Sequence, residues 1–150
     1  MKNMDTRIRA YQAATDLNTL STIWFDASSL AHDFVGRERL HAQRTLIETQ
    51  YLPNAETWVA VQDELPVGFI SLLDTFIGGL FVAPHHQGQG VGRQLIAHGL
   101  DLKGELSLEV YTQNVQALTF YEALGFKELS RRATDDEGMP FENAKMRLKR

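Results

Sequence analysis

The chain of 150 residues contains no cysteine, which removes disulfides, thiolate nucleophiles and thiolate metal ligands from consideration together. It also lacks an excess of positive charge. Fifteen Lys and Arg stand against nineteen Asp and Glu, a formal net charge of −4, so nothing provides a long-range attraction for phosphate backbones or anionic lipid. Neither nucleic acid nor a membrane is expected as a partner. No apolar run approaches the roughly 18 residues of a membrane span, and the opening Met1-Lys2-Asn3-Met4-Asp5 lacks the apolar stretch of a secretory leader. A cytoplasmic protein is expected. What is present is an ordinary globular composition, 43% apolar and 23% charged, too rich in core formers for disorder. The length lies within the roughly 100–200 residues of one domain, so a single domain over residues 1–150 is expected.

The periodicity of apolar residues gives the element order. Thr6–Tyr11 alternates Ile8 and Ala10 against Arg7 and Arg9 and reads as a strand. Leu17, Leu20, Trp24, Ala27 and Ala31 form a 3-4-3-4 stripe, which predicts a first helix to about Leu30 with Thr15 or Asp16 as its N-cap. A weaker stripe, Leu40, Gln43, Ile47 and Tyr51, predicts a second helix over Arg37–Tyr51 that Pro53 ends. Between them, Ala31–Gly36 is a bend. Three β-type runs follow closely, Thr57–Gln62, Val67–Leu73 and Phe76–Val82, as in an antiparallel meander. A helix from Val91 to Lys103, a strand Leu106–Tyr111, a helix from Asn114 to Leu124 and strands Phe126–Arg131 and Asn143–Lys149 complete the chain. The order β-α-α-β-β-β-α-β-α-β-β predicts an α/β fold with a mixed, mostly antiparallel sheet flanked by helices.

The segment Val82-Ala83-Pro84-His85-His86-Gln87-Gly88-Gln89-Gly90-Val91-Gly92 joins a strand directly to a helix. The first amides of a helix have no internal partners and sit at the positive end of its dipole, so such a turn suits phosphate oxygens. Glycine lets backbone approach them without a Cβ in the way. The spacing G-x-G-x-G is neither the dinucleotide fingerprint nor a Walker loop, and a turn needed only for tight helix packing would also carry these glycines. On the helix after Asn114, the wheel places Asn114, Ala117, Leu118, Phe120, Tyr121 and Leu124 in one arc. An amide and a phenol therefore share an apolar face and need partners there. Asn114 as a cap and Tyr121 as packing remain open on this ground alone.

The string V-x-P-x-x-Q-G-x-G-x-G resembles the cofactor-binding motif of the GNAT acetyltransferase superfamily, and Leu108-Glu109-Val110 with Asn114, Ala117, Tyr121 and Gly125-Phe126 resembles its second signature. The resemblance covers Thr57 to Phe126. It implies the GNAT-like acyl-CoA N-acyltransferase fold and acetyl transfer from acetyl-CoA directly to a primary amine of a small molecule or peptide, with no metal. A chain that only binds acyl-CoA, without catalysis, is the alternative. Cofactor contacts are implied at Phe81, Val82, Gln87, Gly88, Gln89, Gly90, Val91, Gly92, Arg93 and Asn114. A backbone amide at a strand bulge near Val82 would polarise the carbonyl. Tyr121 is implied as the proton donor to the leaving thiolate, and Glu109, on the strand face opposite Leu106, Leu108 and Val110, as the base. The bend is implied to border the acceptor pocket, giving His32 and Phe34 as substrate-binding residues beside Asp33. A surface His32 and an Asp33 cap on the second helix are the plainer reading. His85 and His86 are expected as surface loop residues, and Asp135-Asp136-Glu137-Gly138 as a solvated turn. Dimers are common in this superfamily, so a homodimer is possible by resemblance.

Overall fold

The computed structural model describes residues 5–150; Met1–Met4, where the expectation of no leader partly falls, lie outside the described residues. Strand β1 (Arg7–Ala10) leads into helix α1 (Ala13–Ala31). A 3-10 turn (Asp33–Val35) precedes helix α2 (Arg37–Leu46), whose path continues through a π-turn (Ile47–Tyr51) and a short helix α3 (Leu52–Asn54). Strands β2 (Glu56–Gln62), β3 (Leu65–Leu73) and β4 (Phe76–Val82) form the expected meander. Helix α4 (Val91–Lys103), β5 (Glu105–Tyr111), helix α5 (Val115–Ala123), β6 (Lys127–Arg132) and β7 (Asn143–Lys149) follow. All seven strands lie in one sheet of order β1-β2-β3-β4-β5-β7-β6, in which the β4–β5 pair is parallel and every other pair antiparallel.

Strand alternation divides the core into two. Ala60, Ile70, Leu106, Leu108 and Val110 pack with Val91, Leu95 and Ile96 of α4 and the apolar arc of α5. On the other face, Val59, Val61 and Phe69 pack with Leu20, Ile23 and Trp24 of α1 and Leu40 of α2. Residues one apart on β2 and β3 thus serve opposite layers.

Two expectations at helix ends are corrected. Helix α1 begins at Ala13, so Gln12 holds the N-cap position and neither Thr15 nor Asp16 is the cap. Asp16 instead lies buried in the first turn, taking the Gln12 amide at 2.8 Å and the Arg9 guanidinium at 2.7 and 2.9 Å. A carboxylate reaching back this way replaces a cap and ties α1 to β1. Pro53 does not end the second helical segment at Tyr51. The wider π-turn leaves room for the proline ring, which would meet the preceding carbonyl in an ideal α-turn, and the chain stays helical to Asn54. Gly36 occupies the N-cap position of α2; the Asp33 side chain, considered above as its cap, lies outside the described residues.

The Asp16 side chain is 2% exposed while Arg9 is 34% exposed, so truncation strands buried donors but lets the arginine rehydrate. Asp16→Ala should therefore cost about 2 kcal/mol, below the usual range for a fully buried pair. Arg9 holds the Asp16 carboxyl below its ordinary value of 3.8, so this contribution is complete above about pH 5 and is lost as pH falls through the depressed folded value. Urea midpoints of wild type and variant should differ by a constant amount from pH 5 to 7 and converge below pH 4.

Candidate active site

Strands β4 and β5 start side by side and then part. Phe76 pairs with Ser107, and the Ser107 amide donates to the Thr75 carbonyl at 3.0 Å, but no further residues of the two strands pair. Beyond Phe76 the edge of β4 turned toward β5 therefore has unpaired backbone groups in the middle of a sheet. A cleft of about 980 Å³ occupies this opening and passes from the α4 and α5 face to the α1 and α2 face, lined on one side by Val91, Gly92, Ala117, Phe120 and Tyr121 and on the other by Trp24, Ala27, Ser28, His32 and Tyr51. The expected bulge in β4 is displaced from Val82. Val82 keeps regular register opposite Gly68, whereas pairing passes from Ser71–Gly79 to Leu72–Ile77 and leaves Gly78 as the extra residue. Paired glycines are where the strand can bend; Val82 is not.

At the far end of β4 the chain passes through a 3-10 turn (Pro84–His86) into the glycine turn. Gly88 and Gly90 have φ of +81° and +83°, and a Cβ at either would meet nothing within 4 Å. Both need the left-handed region for the turn, and both face open space. Gly90 is the N-cap residue of α4, and no side chain caps that end. The first amides of α4 are thus free for an anion. Gly92 differs: a Cβ there would lie 3.2 Å from Phe120 Cζ, so it serves close packing of α4 on α5. Gln87 braces the turn by donating from Nε2 to the Val82 carbonyl at 3.1 Å. Phe81, Val82, Gln87, Gly88, Gly90, Val91, Gly92, Arg93 and Asn114 all line the cleft. Gln89 does not line it; its Oε1 accepts from Gln62 Nε2 at 3.4 Å. Of the two adjacent histidines His85 is exposed as expected, but His86 is half-buried, lines the cleft and has a buried Nδ1 with no partner. These free amides, the open space over the glycines and the exposed Arg93 fit a pyrophosphate.

Asn114 does two things at once. Its Oδ1 accepts the Ala117 amide at 3.1 Å, capping α5, so its Nδ2 is the atom 3.2 Å from His32 Nε2. An amide nitrogen can only donate, which fixes Nε2 of His32 as an acceptor and its proton on Nδ1. Burial lowers the His32 pKa to about 4, in keeping with a ring whose acceptor nitrogen is already engaged. Seven residues along, Tyr121 also lines the cleft; its hydroxyl has no hydrogen bond among the described residues, and burial raises its pKa well above the ordinary 10.0. Phe34 lies behind the cleft surface, edge-on to Tyr111 and to Phe141 with ring centroids 5.4 Å apart in each case. It shapes the wall through Tyr111. Gln116, opposite the expected arc, lines the cleft as well.

Glu109 projects to the α1 and α2 face and is held by Arg132 through bonds of 2.9 and 3.2 Å. Asp136 also binds Arg132, at 2.6 Å, and is exposed as a solvated turn requires. Asp135 departs from that expectation. It is buried, accepts the Glu137 and Met139 amides at 3.0 and 2.9 Å and the Tyr111 hydroxyl at 3.3 Å, and pairs with Arg39. Burial and this carboxylate push the Tyr111 phenol up to about 12. The acidic loop is thereby tied to the cleft wall, an outcome for which the sequence offered only Gly138 and a run of turn formers.

Comparison with known proteins agrees with this geometry. A family model for the acetyltransferase (GNAT) domain matches residues 53–128. The peptidyl-lysine N-acetyltransferase YjaB of Salmonella typhimurium is 38% identical over 123 residues, 81% of this chain and 84% of that protein. The solution structure of apo YjaB from Escherichia coli superposes with a TM-score of 0.88 at 35% identity, covering 96% of this chain and 97% of that one. At the level of fold alone, the PaiA N-acetyltransferase of Thermoplasma acidophilum in complex with coenzyme A gives a TM-score of 0.79 at 19% identity, covering 98% and 100% of the two chains.

If the turn holds the pyrophosphate, a methyl placed in the open space over Gly90 obstructs it. Gly90→Ala should cost about 1–2 kcal/mol of stability from its left-handed backbone, yet remain folded, and should weaken coenzyme A binding by about tenfold or more. Calorimetric titration showing wild-type affinity in a folded variant would dismiss the assignment.

Proposed function

We propose that this chain, a member of the GNAT acetyltransferase family, uses its acetyl-CoA-dependent acetyltransfer to modify the side-chain amine of a lysine in a peptide or protein. The observation that carries the reading is the parting of β4 from β5 after one residue pair. It offers unpaired strand backbone to an extended pantetheine arm and leads it through the sheet to a cleft reached from the opposite face. The lysine acceptor rests on the relatives named for it and on the carboxylates of Glu109, Asp135, Asp136 and Glu137 around that face of the cleft.

The chemistry asked of the residues is limited. A lysine amine, with an ordinary pKa of about 10.4, arrives charged and must lose a proton before its nitrogen can attack the acetyl carbon. Glu109 is the group assigned to receive it. Arg132 orients that carboxylate through two hydrogen bonds, which leave further lone pairs free. As the new C–N bond forms and the C–S bond breaks, negative charge collects on sulfur. The Tyr121 hydroxyl, which has no competing partner among the described residues, donates its proton there. A donor whose pKa is raised by burial stays protonated until a strong base appears beside it.

Tyr121→Phe keeps the ring packing and removes the proton, so kcat should fall roughly 10²-fold with little change in the KM for acetyl-CoA. Equal kcat values where chemistry limits the rate would assign Tyr121 to packing. Glu109→Gln should lower kcat/KM by about 10²-fold and abolish the enzyme-derived ionisation on the acidic limb of its pH profile. An intact limb with a raised acceptor KM would instead make Glu109 an electrostatic anchor. Mass spectrometry of lysyl peptides incubated with acetyl-CoA tests the acceptor class; modification of other amines with none at lysine would overturn it.

A further inference from the structure

The polar side chains that the α1 and α2 face turns toward the cleft are nearly all engaged. Glu109 pairs with Arg132, Tyr111 donates to Asp135, His32 accepts from Asn114, and Ser71 bonds Thr57 Oγ1 at 2.8 Å. Ser28 is the buried exception among the described residues. It lies on α1 one turn before His32, it lines the cleft, it is 1% exposed, and its Oγ has no hydrogen-bond partner among the described residues. A serine within a helix ordinarily satisfies its hydroxyl on the carbonyl four residues back; this one does not. Leaving a hydroxyl buried and unpaired is unfavourable by an amount comparable to a lost hydrogen bond. Such a cost persists where a ligand takes the place of the missing partner. The other unpartnered buried atom in the cleft wall, His86 Nδ1, belongs to the turn between β4 and α4.

We propose that Ser28 Oγ binds the nucleophilic nitrogen of the acceptor, accepting a hydrogen bond from the amine and so directing its lone pair at the acetyl carbon. The inference rests on the assignment of the cleft to acetyl transfer, and within it adds an acceptor-binding residue that no motif marks. Ser28 Oγ is uncharged and takes no proton; it orients the amine, and neutralisation remains with Glu109. Trp24, Ala27 and Ala31 line the cleft on the same helix, and their apolar surfaces suit the methylene stem of a lysine.

The test is Ser28→Ala. Because Oγ bonds nothing among the described residues, its removal should leave the melting temperature unchanged or higher, unlike removal of a structural hydrogen bond. The KM for the amine acceptor should rise about tenfold, with the KM for acetyl-CoA unchanged. Independently of turnover, calorimetric titration of a lysyl peptide into protein saturated with desulfo-coenzyme A should show about tenfold weaker binding by the variant. Unchanged acceptor KM and unchanged peptide binding would overturn the proposal, and so would a melting temperature lowered by several degrees, which would reveal a structural bond. Should wild type acetylate some amine other than lysine, the lysine reading fails while Ser28 is judged with that amine in both measurements.

Discussion

The structure depends on one interruption: β4 and β5 are neighbours in a seven-stranded sheet that pair through a single residue each, Phe76 and Ser107. An open edge in the middle of a sheet leaves backbone donors and acceptors without partners, which a folded chain tolerates only where solvent or a ligand supplies them. The fold makes this opening stable by anchoring each half separately. Strands β1 to β4 form one antiparallel block and β5, β7 and β6 another. Helix α4 crosses between them and packs Val91, Leu95 and Ile96 against both. Each block can keep its ladders intact while the gap stays open.

The opening also explains why residues distant in sequence meet. The crossover from β4 to β5 places the glycine turn at one end of the gap, and the next crossover places the N-terminus of α5 beside it. The far face is closed by α1, whose last turn brings His32 within 3.2 Å of Asn114 Nδ2, a contact between residues 82 positions apart. That hydrogen bond joins the end of α1 to the helix that carries Tyr121. Since Asn114 Oδ1 is committed to the Ala117 amide, neither end of the link can exchange its role, so the two walls are fixed with one polarity.

How much of this was legible follows from which interactions are periodic. The meander, α4 and the position of α5 rest on apolar spacing and, for α5, on the cap Asn114, which acts locally, and they stand as expected. The glycine turn and Tyr121 could be placed because strand, turn and helix follow one another without insertion. What the sequence did not show depends on long-range polar contact. Asp16 reads as a cap until Arg9 is seen across from it, and Asp135 reads as solvated until Tyr111 and Arg39 are folded onto it. The stripe on α1 passed over Ser28 because a serine on an apolar helix counts as neutral; only the absence of a partner gives it meaning. The bulge moved to Gly78 because register is a property of two strands, and Ser71 and Leu72 of β3 fix it.

The charges of the cleft are arranged by depth. Toward the α1 and α2 rim stand Glu109 with Arg132 and Asp136, and Asp135 with Arg39, each carboxylate held by a guanidinium. Deeper, burial keeps His32 unprotonated above about pH 4 and Tyr121 protonated throughout the neutral range, so the groups nearest the gap are uncharged. An ammonium group approaching such a site meets favourable charge at the rim and a desolvation penalty beyond it. The penalty falls on the charged form alone, so entry itself favours loss of the proton, and the proposed base Glu109 stands at that boundary. The same gradient disfavours a second charge following the amine inward. An aliphatic stem long enough to leave the flanking charges at the rim therefore satisfies both conditions, and the proposed lysine acceptor has such a stem.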